Sequence, residues 1–167
     1  DRKSHVLKQI MDQERRRQEL AFERTQLEAA ERKMRKILRR KEKQKEIDEL
    51  AENGDITTTE KAVFRLEHDM DMKFEEGVEE LSIAMAKKRL DEITKEQLVL
   101  FSALEDPALS DEDVNDLVDQ YDHDVDAIEG RTRQEITRLH GDLERQIDAA
   151  KAKRVARLRA VQPAKPN

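Results

Sequence analysis

Asp122, Asp124 and Asp126 stand at alternate positions in DHDVDAIEGRTR, residues 122–133, the spacing with which an EF-hand calcium loop begins. Such a loop needs a glycine at its sixth position for a sharp turn and a bidentate glutamate at its twelfth. Here those positions hold Ala127 and Arg133, and an apolar helical period runs through the stretch. A solvated acidic helix face is the expectation, with calcium leaving it unordered. The four histidines are His5, His68, His123 and His140. None has a glutamate three residues before it, so the pairing that ligates iron in helical bundles is absent. His140 and Glu144 share a helix face, but two residues do not make a site. There is no glycine-rich phosphate loop, nucleophile elbow or His-Glu-x-x-His. With no cysteine there is no disulfide and no thiolate zinc site. No catalytic, cofactor-binding or metal residue is therefore assigned. No cofactor or small-molecule substrate is expected, and the chain is read as not an enzyme.

The other feature with chemical meaning is a basic run. MRKILRRKEKQK, residues 34–45, sets Arg35, Lys36, Arg39, Arg40, Lys41, Lys43 and Lys45 against Glu42 alone. Its targets would be nucleic acid, an anionic membrane, a partner, or acids of the same chain. Nucleic acid is not expected. The formal net charge is −6, and no aromatic side chain is interleaved with the bases to stack on nucleotides.

What must position these residues follows from composition. Of the 167 residues, 43% are charged and 3% aromatic, with four glycines and three prolines. That leaves long helices or disorder, and only the former carries an apolar period. Two stretches hold turn chemistry. In AENGDITTTE, residues 51–60, Asn53-Gly54 stops a helix and Thr57–Thr59 offer N-caps for the next. In EDPALSDED, residues 105–113, Pro107 ends a helix, and Ser110 with Asp113 resembles a capping box. Pro163 and Pro166 make a third breaker. The segments between run about 4–53, 58–106 and 110–158, close to seven heptads and ~70 Å each at 1.5 Å per residue. Equal lengths with short connections predict an all-α fold: a long antiparallel three-helix bundle or coiled-coil rod. It forms one elongated helical domain over residues 1–159, with 160–167 a flexible tail. The chain begins without Met and in mid-period, so it is expected to be part of a longer one.

The seams are read from apolar spacing. In the first helix Leu20, Leu27 and Met34 recur every seven, with Ala30 and Ile37 between them. In the second, Met70, Phe74, Gly77, Leu81 and Ala84 give way to Ala86, Leu90, Ile93, Gln97, Leu100 and Leu104, with a stutter near Met85. The third carries Val114, Val118 or Leu117, Tyr121, Val125, Ile128, Ile136, Leu139, Leu143, Ile147 and Ala150. Glu14–Arg17 and Arg39–Glu46 offer no apolar residue, so the bundle there is thin, splayed or completed by something else. Gly77, Gly130 and Gly141 mark bends or close approaches.

Charge fixes the register. Folding the first hairpin about Ile56 lays residues 32–45 beside 67–80, where Glu67, Asp69, Asp71, Glu75, Glu76, Glu79 and Glu80 face one base, Lys73. The acidic start of the third helix is expected beside Lys8 and Arg15–Arg17. Its basic end, KAKRVARLR, is expected beside the acidic second helix. A shifted or parallel alignment would set like charges together.

The function expected is scaffolding: a segment that spaces or joins partners through another helical protein chain or self-association. Leu7, Met11, Phe22 and Leu38 lie off the main seam, and with Arg39, Arg40, Lys41, Lys43 and Lys45 they are the candidate partner-binding residues. The chain is similar in composition to rod segments of cytoskeletal, motor-associated and ciliary proteins. Three long helices with basic ends also resemble the membrane-curving BAR architecture in helix number and length. That resemblance implies the alternative, a membrane-surface module binding anionic lipid through basic helix ends. No apolar run approaches the ~18 residues of a membrane span, DRKSHVLKQI lacks the form of a signal peptide, and no Asn-x-Ser/Thr occurs. An intracellular, cytoplasmic location is expected.

Overall fold

A computed structural model describes residues 2–161. The breaker at Pro163 and Pro166, and the tail from residue 162 onward, lie outside the described residues. The chain forms three long helices, α1 (Arg2–Glu52), α2 (Thr58–Leu104) and α3 (Asp111–Ala160), packed against one another, with no strand among the described residues. The lengths are 51, 47 and 50 residues.

Each helix end is set by the local chemistry read from the sequence. After α1, Gly54 adopts φ +74°, the left-handed conformation that glycine reaches without steric cost. The Asp55 N–H then reaches the Leu50 carbonyl at 2.9 Å, and the Gly54 N–H the Ala51 carbonyl at 3.2 Å. Those two bonds are a Schellman stop. At the start of α2, Thr57 and Glu60 cap reciprocally. The Glu60 N–H donates to Thr57 Oγ1 at 3.1 Å, and the Thr57 N–H to Glu60 Oε1 at 3.2 Å. Ser110 and Asp113 do the same for α3, at 3.0 and 3.1 Å. The Ser110 backbone N–H, and then its side chain, hold the Asp113 carboxyl below its usual range. α2 stops at Leu104, two residues short of the predicted boundary, because Asp106 turns its carboxylate onto the Ala108 N–H at 2.9 Å around Pro107.

Among the described residues the packing divides into two compact units, one made of 2–28 with 82–137, the other of 29–81 with 138–161. Unit 1 is built on Ile93, Leu100, Phe101, Tyr121, Val125 and Ile128, with Met11, Leu104 and Leu117 packed around them. Unit 2 buries Ala29, Ile47, Val63, Met70 and Met72. The seams predicted for α2 and α3 are largely these. Val125 and Ile128, inside the aspartate-rich stretch, are buried on a continuous helix. Around Met85, itself buried beside an exposed Ala84, the inward frame of α2 shifts as the stutter requires.

The seam assigned to α1 needs correction. Leu20, Leu27, Met34 and Ile37 are exposed, Leu27 and Met34 by 66% each, and Ala30 is exposed as well. The inward face of α1 instead mixes polar and apolar side chains: Glu14, Gln18 and Thr25 with Leu7, Met11 and Phe22 in unit 1, and Lys36 and Gln44 with Ala29 and Ile47 in unit 2. Polar groups are tolerated inside when partners meet them; α3 supplies one to Glu14 and α2 one to Lys36, while Gln18 and Thr25 bond within α1. In unit 1 Glu14 Oε1 accepts from the Tyr121 hydroxyl at 2.7 Å and from Gln18 Nε2 at 3.0 Å, while Gln97 Nε2 donates to the Tyr121 oxygen at 3.2 Å. In unit 2 Lys36, only 5% exposed, lies 3.0 Å from Glu79. The Glu14–Tyr121 contact lies within the first of the two stretches of α1 that lack apolar residues, and in the second Arg39 and Arg40 reach Glu75 and Asp69 of α2.

Candidate interaction surfaces

The basic run of α1 meets the acidic run of α2, as its register required. Besides Lys36–Glu79, Arg39 reaches Glu75 at 3.0 Å and Arg40 reaches Asp69 at 3.7 Å. Further along the same hairpin, Arg65 and Lys61 converge on Asp48 at 2.8 and 3.3 Å. The basic end of α3 docks on α2 through Lys151 and Asp71, 2.8 Å apart. The hydrogen bond to Asp71 raises the Lys151 ammonium above its ordinary value. Apart from Lys36–Glu79 these pairs are partly exposed, and such pairs hold register more than they add stability.

The acidic start of α3 does lie beside the start of α1, where Glu14 meets Tyr121 and Ile10 and Met11 share a groove with Val114 and Val118, but charge pairs are few there. Arg15–Arg17 do not pair with the acidic start of α3. Arg16 turns to Glu19 and Glu23, Arg17 to Glu14, and the Arg15 guanidinium lies 5.6 Å from the Phe101 ring centre. Bases one turn from acids of their own helix find them at lower conformational cost than acids on another helix. Among the described residues Lys3 is the one base of this end of α1 that pairs with an acid of α3, meeting Asp111 at 3.0 Å.

Two grooves gather some of the predicted partner-binding residues. In unit 2, Leu38 and Val78 form the apolar part of a groove of about 710 Å³. Arg32, Arg35 and Arg39 edge it, and Phe74 meets His140 edge-on at 5.2 Å on its wall. Beside it on α1, Met34 and Ile37 are exposed, and Leu38 is 62% exposed. Met34, Ile37 and Leu38 stand at i, i+3 and i+4, the spacing of one helix face. In unit 1, Leu7 and Met11 line a groove of about 550 Å³ with Ile10.

The remaining candidates are placed as follows. Phe22 is half-buried in unit 1. Arg39 and Arg40 are held by Glu75 and Asp69, and Lys43 by Glu46 at 3.7 Å. Lys41 and Lys45 are exposed and have no ion pair among the described residues. In the sequence Met34 and Ile37 carry the spacing of core residues, which hides them as a surface. The signal that could have found them is the existence of two apolar stripes on α1, of which a three-helix packing can enclose only one.

Among the described residues, no group of three or more His, Asp or Glu side chains is placed to hold a metal ion, and no helix is long and apolar enough to cross a membrane. Comparison of the chain with protein-family models, with curated proteins and with solved structures returns no match.

Proposed function

We propose that this chain is a non-enzymatic helical scaffold segment that docks another helical protein chain on the outer face of α1 in unit 2. The observation that carries this reading is the exposure of Met34, Ile37 and Leu38 on one helix face, beside the groove that Leu38 and Val78 line. Burying one such side chain contributes about 1.5–3 kcal/mol, so three together support modest association once the entropy of docking is offset. The flanking Arg35, Lys41 and Lys45 favour a partner helix with acidic edges, in the manner of coiled-coil pairing. A cytoskeletal or ciliary assembly is the setting this reading suggests.

Replacing Met34 and Leu38 together by Ser tests it. The variant is expected to keep its helicity and lose capture of its partner in a pull-down. Retained capture, or a chain that captures nothing with its native face intact, would sink the proposal. Oligomer mass measured by light scattering across concentrations separates a foreign partner from a second copy. The membrane-surface reading is favoured by Lys153, Arg157 and Arg159, exposed at the end of α3 without an ion pair among the described residues. Salt-sensitive co-sedimentation with anionic vesicles, unaffected by the Met34/Leu38 change, would select it instead.

A further inference from the structure

The first part of α3, residues 111–126, carries eight acids and no Lys or Arg. Among the described residues only Asp111 has a basic partner, Lys3. Of the nearby bases of α1, Arg16 is committed to Glu19 and Glu23, Arg17 to Glu14 and Arg15 lies over Phe101, while Lys8 makes no ion pair among the described residues. Seven carboxylates are thus left without a cation of their own chain. Of these, Glu112, Asp116, Asp119, Asp122 and Asp126 share a broad exposed face of α3, where like charges repel each other and an arriving cation gains from several at once.

The apolar groove of unit 1 opens beside these acids. Ile10 and Met11 of α1, Leu100 and Leu104 of α2, and Val114 and Val118 of α3 line it, and Glu14, Asp119 and Asp122 stand at its edge. Ile10 is 54% exposed, although its neighbour Met11 packs on the core. From Leu7 to Glu14 the α1 wall covers two helical turns, roughly 10 Å. An apolar trough two turns long with acids on its rim has the form of a helix-in-groove receptor.

We propose that unit 1 binds a short basic amphipathic helix of another protein. Apolar side chains of that helix at i, i+4 and i+7 enter the groove, and its Lys and Arg residues face Asp119, Asp122 and the neighbouring carboxylates of α3. This surface is independent of the one on α1 in unit 2, and the partner charge it selects is the opposite one.

The probe is a fluorescein-labelled synthetic 14-residue peptide, helical, with Leu at i, i+4, i+7 and i+11 and Lys elsewhere. Its anisotropy is followed against the whole chain at low and moderate salt. Saturable one-to-one binding is expected, at least tenfold tighter than that of a scrambled peptide of identical composition. Asp119→Lys with Asp122→Lys is expected to weaken it at least tenfold, and Ile10→Ser severalfold. All three positions are exposed, and unchanged thermal melting of each variant shows that the fold is intact. Met34→Ser with Leu38→Ser should leave this binding unaltered. Equal affinity for the scrambled peptide would reduce the effect to unspecific charge attraction and overturn the proposal. So would indifference to the Ile10 and aspartate changes. Self-association of the unlabelled chain, abolished by the same aspartate changes and competed by the peptide, would make the occupant a second copy and overturn the assignment to another protein.

Discussion

The ammonium of Lys36 and the carboxylate of Glu79 stand 3.0 Å apart with both side chains largely enclosed, one on α1 and the other on α2. They attract by charge alone, because Lys36 Nζ makes no hydrogen bond of proper alignment. A buried pair lacking further hydrogen bonds recovers little beyond its desolvation, whereas removing one partner strands the other. Lys36→Met is expected to destabilise the chain by roughly 2–3 kcal/mol, below the usual cost for a fully buried pair because Glu79 keeps some water contact. Adding Glu79→Leu is expected to restore most of the loss. Urea unfolding of both variants at neutral pH measures the two steps. A neutral single change would mean that the pair is solvated in solution.

Tyr121 is the sole tyrosine of the sequence, so its ionisation can be followed by ultraviolet absorbance without interference. Burial pushes its phenol well above the ordinary range, and its hydrogen bond to Glu14 adds to this against a smaller opposing effect of Gln97. The folded chain therefore keeps a proton that the unfolded chain gives up near pH ~10. The stability from this group is fully present below that pH and is lost as pH rises above it toward the folded value. Tyr121→Phe is expected to cost about 1 kcal/mol at neutral pH, and the gap from the native chain should narrow above pH ~10. Tyrosinate absorbance rising at the ordinary pH while helicity is intact would contradict the geometry.

Two glycines inside helices separate propensity from packing. A Cβ on Gly77 would stand 2.7 Å from Leu143 Cδ2, whereas one on Gly130 would meet nothing within 4 Å. Gly130→Ala is expected to stabilise by about 0.5–1 kcal/mol through helix propensity alone. Gly77→Ala gains the same propensity but must displace the Leu143 side chain, so its net effect is expected to be zero or unfavourable. Melting temperatures of the two variants test the difference. An equal rise in both would show that α2 and α3 do not approach closely there.

Phe22 and Leu38, alike as off-seam apolar residues in the sequence, should separate on mutation. Phe22 is half-buried within unit 1, and Leu38 is mostly exposed. Phe22→Ser is expected to lower stability by about 1–2 kcal/mol, less than the loss of a fully buried ring. Leu38→Ser is expected to stay within about 0.5 kcal/mol, as exposed substitutions do. Denaturant midpoints decide, and the reverse order would invert the assignment of the α1 faces.

The helix ends were legible in the sequence because residues next to one another make them. Asn53-Gly54, Thr57 with Glu60, and Ser110 with Asp113 each settle a boundary within a few positions. The α3 seam was legible because its apolar period faces a single competing stripe of acids. The pairing of the basic run with residues 69–79 followed from charge density alone, since only one hairpin register places opposite signs together. Much of the candidate surface was not legible. α1 has apolar side chains on two faces, and the regular spacing of Leu20, Leu27 and Met34 marks the face that packing leaves outside. The inner face was settled by Tyr121, 107 positions from Glu14, and by Glu79 opposite Lys36. A polar residue enters a core when a partner satisfies it there, and that partner lies on another helix. Apolar period within one helix records which residues avoid water on average. Only the tertiary structure brings up the distant atoms that decide which face does so.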